Sequence, residues 1–211
     1  LYRRVRAGVD LQAGREIAVA STKAFPSQTV VLGLLAMRLA QLRGKEVPIE
    51  LARGMLLLPT ILKEMLSREA EVKAVAQRYA TAKRMIIVGR GSTVPLALES
   101  ALKVREVAYL DAHGLSAAEL KHGTLALIEP GVPIIAFMPS GALREKMASN
   151  LEEAKTRGGE VVQFEAPLYV PSLLLPVVLA PLMQLLAYHL GVFRGVDVDQ
   201  PRNLAKSVTV E

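Results

Sequence analysis

Between residues 21 and 42 apolar side chains recur at helical spacing, and Gly44 follows as a stop signal, so the pattern predicts a helix there. The stretch "PIELARGMLLLPTILKEMLSREAEVKAVAQRYATAKR" continues the helical period and predicts two or three more pieces, with breaks near Pro59 and Ser67. Then the rhythm changes. "RMIIVGRGS", "GVPIIAFMPSG" and "GGEVVQFEA" each carry a continuous apolar run, the pattern of strands buried on both faces of a parallel sheet. Helical segments are predicted between and after them, at 95–109, 117–127, 142–157 and 181–190. Strands alternating with helices of this length imply an α/β, doubly wound sheet with helices on both faces. Ligands of such folds gather at the carboxyl ends of the strands. "GRGST" and "PSGA" fall there, each leading into a helix N-terminus that favours anions.

Residues 167–193, "PLYVPSLLLPVVLAPLMQLLAYHLGVF", hold no Asp, Glu, Lys or Arg and are long enough to span a bilayer. Pro167, Pro171, Pro176 and Pro181 interrupt them, so the expectation is a short strand, a turn and a buried helix starting at Pro181. A helix apolar all round belongs in a core or a subunit interface, and no membrane partner is expected. The closing "DVDQPRNLAKSVTVE" shows no period before "SVTVE" and carries one candidate amine, Lys206.

Composition narrows the picture. A hydrophobic fraction of 51% over 211 residues is ample for a core. Without cysteine, disulfides, thiolate metal sites and a cysteine nucleophile are excluded, which is compatible with a reducing, cytoplasmic setting. The net charge of +6 comes from scattered Lys and Arg, "YRRVR" is the longest basic cluster, and only 4% of residues are aromatic. There is no stacking platform for nucleic acid, while an anionic small ligand suits the charge. The opening "LYRRVRAGVDLQAG" has neither an initiating Met nor an apolar h-region, so it is read as a cut through a longer protein rather than a signal peptide.

Candidate chemistry concentrates in "GRGSTVPLALESALKVRE". With Pro95 at the first helical turn, Glu99, Lys103 and Glu106 fall at i, i+4 and i+7 on one stripe. The stripe is either a solvated ladder, at about 0.3 to 0.5 kcal/mol per pair, or one wall of a site. In a site Lys103 would hold one carboxylate while another moves a proton. His122, in "AAELKHGTLALIE", lies beside Gly123 and after "DAHGLSA", read as a loop, a setting in which it could titrate near neutrality. His113 and His189 are read as structural. The three histidines have no paired-ligand spacing, so neither a metal nor a cofactor is expected. In "AGREIAVASTKAF", Ser21 and Thr22 offer hydroxyls at a helix start, a cap by itself.

These segments, in this order and with the closing "DQPRNLAKSVTVE", resemble the isomerase (SIS) domain of the glutamine:fructose-6-phosphate amidotransferases over nearly the whole chain. The resemblance implies two SIS domains, each a three-layer αβα sandwich around a five-stranded parallel sheet of flavodoxin-like type. Residues 1–44 would be the end of the first, 45–195 the second, and 196–211 a catalytic tail. A separate glutaminase domain would supply ammonia for converting fructose 6-phosphate to glucosamine 6-phosphate. By matching motif, Lys206 would form a Schiff base with the open-chain ketose, Glu106 would move a proton between C1 and C2, and His122 would open the ring across a homodimer interface. Val19, Ser21, Ala205, Glu99 and Lys103 would line the sugar site. The family's serine- and threonine-rich phosphate loop is absent from these 211 residues, so the piece alone is expected to be inactive. An amino-sugar-phosphate deaminase or deglycase, and a non-catalytic sugar-phosphate-binding module, are the alternatives.

Overall fold

The computed structural model describes residues 7–206. "LYRRVR" and "SVTVE" lie outside the described residues. Four parallel strands, β1 (Arg84–Gly89), β2 (Asp111–Ser116), β3 (Pro133–Phe137) and β4 (Glu160–Phe164), form one sheet in the order β2-β1-β3-β4. Six helices accompany them: α1 (Ala24–Leu42), α2 (Ile49–Ser67), α3 (Glu69–Tyr79), α4 (Val94–Ala108), α5 (Leu143–Lys155) and α6 (Leu175–Phe193). The period-2 geometry of the strands builds two cores. Met85, Ile87, Ile135 and Phe137 face α3, α4 and α6, whereas Ile86, Val88, Ile134 and Ala136 face Met147, Leu151 and Ala154 of α5. The result is the expected three-layer α/β arrangement, with four strands among the described residues rather than five.

The missed strand was β2. Its sequence, "DAHGLS", lies at the sheet edge and buries only Ala112 fully instead of running apolar, so it read as a loop. It packs tightly on α4: a Cβ at Gly114 would sit 2.5 Å from the Ala97 carbonyl oxygen and 2.8 Å from Leu98 Cα. The predicted helix over 117–127 is instead two 3₁₀ pieces, Ala117–His122 and Thr124–Leu127, because Gly123 between them takes φ 129°, which no helix tolerates.

Proline misled the reading of the helices. Pro59 lies inside α2 without breaking it, and Pro181 lies inside α6, which starts at Leu175 with Pro176 in its first turn. An interior proline costs about 3 kcal/mol, and α6 offsets this by burial of Val178, Leu179, Leu182, Met183, Leu186 and Leu190. The short strand expected after Pro167 is a turn, closed by Val170 N–H donating to Pro167 O at 3.0 Å, then a 3₁₀ piece at Ser172–Leu174. Pro167 and Pro171 supply no ladder donors. The Ser172–Phe193 segment is apolar and long enough to cross a membrane, but most of its apolar stretch is buried inside this fold. By contrast α1 buries none of its residues, and Leu32, Leu35, Leu39 and Leu42 are exposed.

Candidate active site

Helix α4 places Glu99, Lys103 and Glu106 on one face, as their spacing requires. The solvated-ladder reading does not hold, because Lys103 is only 5% exposed. Its Nζ donates to Glu106 Oε2 at 2.5 Å and lies 3.6 Å from Glu99 Oε1, so one buried ammonium is shared by two carboxylates. Pairing of this kind is what makes a buried charge tolerable. Lys103 lines a small cavity of about 90 Å³ together with Ala18, Ala20, Thr22, Gln184 and Tyr188.

The other wall of that cavity comes from the segment before α1. Glu16 organises this wall, and nothing in the sequence pattern singled it out. Its Oε1 accepts from the backbone N–H groups of Thr22 (2.9 Å) and Ala24 (3.1 Å), and the Ser21 hydroxyl donates to the same carboxylate at 3.2 Å. A carboxylate thus satisfies orphan donors at the start of α1, a task usually given to the residue next to the helix. Its one trace in the sequence was an isolated acid between "AGR" and "IAVAST", too little to mark a role.

The tail returns to this wall. Val19 N–H donates to Asp199 O at 2.9 Å, and Pro201 is buried. Arg202 N–H donates to Tyr109 Oη at 2.6 Å, with the Arg202 guanidinium 4.4 Å from the Tyr109 ring centroid. Arg194 reaches from the end of α6 to the Ala80 carbonyl at 2.6 Å and the Tyr109 carbonyl at 3.5 Å. Lys206 then donates from Nζ to Ala18 O at 2.9 Å and to Glu16 Oε2 at 3.2 Å. Glu16 and Lys206 share an open cleft of about 440 Å³ with Asp10, Gly14 and Ala24. Lys206 is therefore tethered, and its ion-pair partner is Glu16 rather than Glu106. Ala18 receives Lys206 on its carbonyl and also lines the Lys103 cavity, so the two amines flank the same short segment.

The remaining candidates divide. Val19 and Ser21 lie in that segment, and Ala205 is exposed beside Lys206. His122 is exposed at the end of the 3₁₀ piece after β2, and among the described residues no hydrogen bond joins it to the Lys103 cluster or to Lys206. His189 is buried with Nε2 3.0 Å from Glu69 Oε1, a structural role. His113 pairs with Asp111 at 3.0 Å on the exposed strand edge. A separate apolar cavity of about 360 Å³, between α1, α2 and the 3₁₀ piece Ser172–Leu174, contains none of the candidate residues.

Burial alone would raise the Glu16 carboxyl, but the amides of Thr22 and Ala24, the Lys206 amine and the Ser21 hydroxyl outweigh it and bring the pKa from 4.5 down to about 2. Because the folded value is the lower one, its stabilisation is complete above pH 4.5 and lost as pH falls toward 2. Glu16 is only partly removed from water and its partner Lys206 is 44% exposed, so screening holds the amount to about 1 kcal/mol. The difference in urea midpoint between the parent protein and Glu16→Gln is expected to shrink across that window. A difference that stays constant with pH would refute the assignment.

Residues 78–164 match the SIS domain family. The glutamine–fructose-6-phosphate aminotransferase [isomerizing] of Escherichia coli is 42% identical over 94% of this chain and 36% of its own length, and that of Pectobacterium atrosepticum is 42% identical over 95% and 36%. The chain thus spans about a third of the length of these relatives. The C-terminal domain of glucosamine-fructose-6-phosphate aminotransferase from Francisella tularensis superposes with TM-score 0.84 at 32% identity, covering 90% of this chain and 59% of that one. A glucosamine-6-phosphate deaminase from Thermotoga maritima shares the fold, with TM-score 0.76 at 23% identity. Residues 78–164 thus form a SIS domain, and the chain as a whole is similar to the C-terminal region of the glutamine–fructose-6-phosphate aminotransferases.

Proposed function

We propose that this chain is the C-terminal isomerase part of a glutamine–fructose-6-phosphate aminotransferase, forming glucosamine 6-phosphate from fructose 6-phosphate and ammonia. The observation that carries the reading is the return of the tail, which brings the Lys206 amine onto the Glu16–Ala18 segment. An amine held at a cleft suits imine chemistry on a carbonyl sugar. Lys206 adds to C2 of the open-chain ketose and water leaves; ammonia then displaces the lysine, and Glu106 takes a proton from C1 and returns it to C2 while the O1 hydroxyl proton passes to the nitrogen, leaving an aldehyde at C1 and an amine at C2. Lys103 and Glu99 hold that carboxylate in place. Val19, Ser21 and Ala205 contact the sugar, and His122 opens the ring from across a homodimer interface.

In this reading residues 1–44 end a first SIS domain, 45–195 form the second, and 196–211 are the catalytic tail. The exposed leucine face of α1 fits a helix that packs on that preceding unit. A glutaminase domain supplies the ammonia, and the reaction is cytoplasmic. The test incubates the longer, intact protein with fructose 6-phosphate and borohydride, followed by peptide mass mapping. A reduced hexose phosphate adduct on Lys206 is expected, and an adduct confined to another lysine would reject the role. In a coupled assay with ammonia, residues 1–211 alone are expected to show little or no turnover beside the intact protein.

A further inference from the structure

We propose that Glu16 is the positioning residue that registers the Lys206 amine against the turn whose Val19 and Ser21 meet the sugar; the inference rests on the imine role of Lys206. The two oxygens of its carboxylate divide the work. Oε1 takes both backbone bonds, from Thr22 and Ala24, and so fixes the turn. Oε2 takes the Lys206 ammonium, while Ala18 O within the same turn supplies the second acceptor. One rigid group therefore sets both the sugar wall and the amine that must attack the sugar. The Glu16 side chain is 14% exposed and fixed by several donors, whereas Lys206 is 44% exposed on a long flexible stem. Glu16 is the fixed partner and Lys206 the one it orients. A displacement of about 1 Å at a reacting group is enough to cost on the order of 10²-fold in rate.

Glu16→Gln separates the two tasks. The amide oxygen still accepts from Thr22 and Ala24, while an NH₂ replaces the oxygen that faces Lys206 and offers the ammonium no acceptor. In the intact protein this variant is expected to lower kcat about 10- to 100-fold with KM within about twofold, since uniform binding by the turn survives. The yield of the borohydride adduct on Lys206 falls in parallel. Glu16→Asp, which keeps the charge on a shorter arm, recovers part of kcat. Glu16→Ala loses the turn as well and raises KM. Equal kcat and equal Lys206 trapping in the parent and Glu16→Gln overturn the proposal while leaving the imine role standing. A rise in KM with unchanged kcat also overturns it, because Glu16 would then serve only the turn. Absence of any Lys206 adduct in the parent removes the imine role, and this one falls with it.

Discussion

Lys206→Arg in the intact protein is expected to reduce isomerisation on the order of 10³-fold or more, with no borohydride-trapped adduct at that position. Arginine keeps a positive charge within reach of Glu16 Oε2 and the Ala18 carbonyl, so the tail retains its anchor. It cannot release a proton near neutrality to become a nucleophile. Loss of rate without loss of stability therefore isolates the imine step. A coupled assay for amino sugar formation, run beside a urea titration, checks both halves. Activity within tenfold of the parent would exclude covalent participation by Lys206.

Glu106→Gln is expected to lower kcat by about 10² to 10⁴, the span associated with loss of a general base, with loss of solvent deuterium incorporation at C1 and C2. Unlike the first substitution, it also has a folding cost. Glu106 is the near partner of Lys103, whose ammonium is buried, and Glu99 at 3.6 Å remains as the sole carboxylate of the pair. Weakening a buried charge in this way costs about 1 to 3 kcal/mol, visible as a lower urea midpoint. The kinetic loss exceeds what partial unfolding explains, since the folded fraction stays near unity after such a change in a domain of ordinary stability. Deuterium incorporation that survives the substitution would assign the proton transfer to another group.

The Glu99–Lys103–Glu106 stripe was legible because helical spacing dictates which side chains share a face. Whether it faced water was not, since burial of Lys103 depends on the segment around Ala18 and on Gln184 and Tyr188 of α6, all distant in sequence. The central strands were legible from their unbroken apolar runs, and β2 was hidden because an edge strand bearing His113 and Gly114 has no such run. Helix α6 read short because proline is a local signal, whereas the burial that outweighs Pro181 is a property of the whole core. Glu16 illustrates the harder limit. Its partners are two backbone amides and a lysine 190 positions away, and neither spacing nor residue type marks such a group.

Tyr109 ends α4 in a left-handed conformation, φ 50°, and holds the tail at two points: its carbonyl meets Arg194, and its hydroxyl and ring meet Arg202. The chain between those arginines is thereby a gauge block cut to length, pinned at both ends to one residue just past Glu106. An inserted or deleted residue there shifts the path by ~3.3 Å, more than the hydrogen bonds at Ala18 can follow. Drift in length can be absorbed in many surface loops of such a fold; between Arg194 and Arg202 it would be read out directly as a mis-set distance at the Lys206 amine.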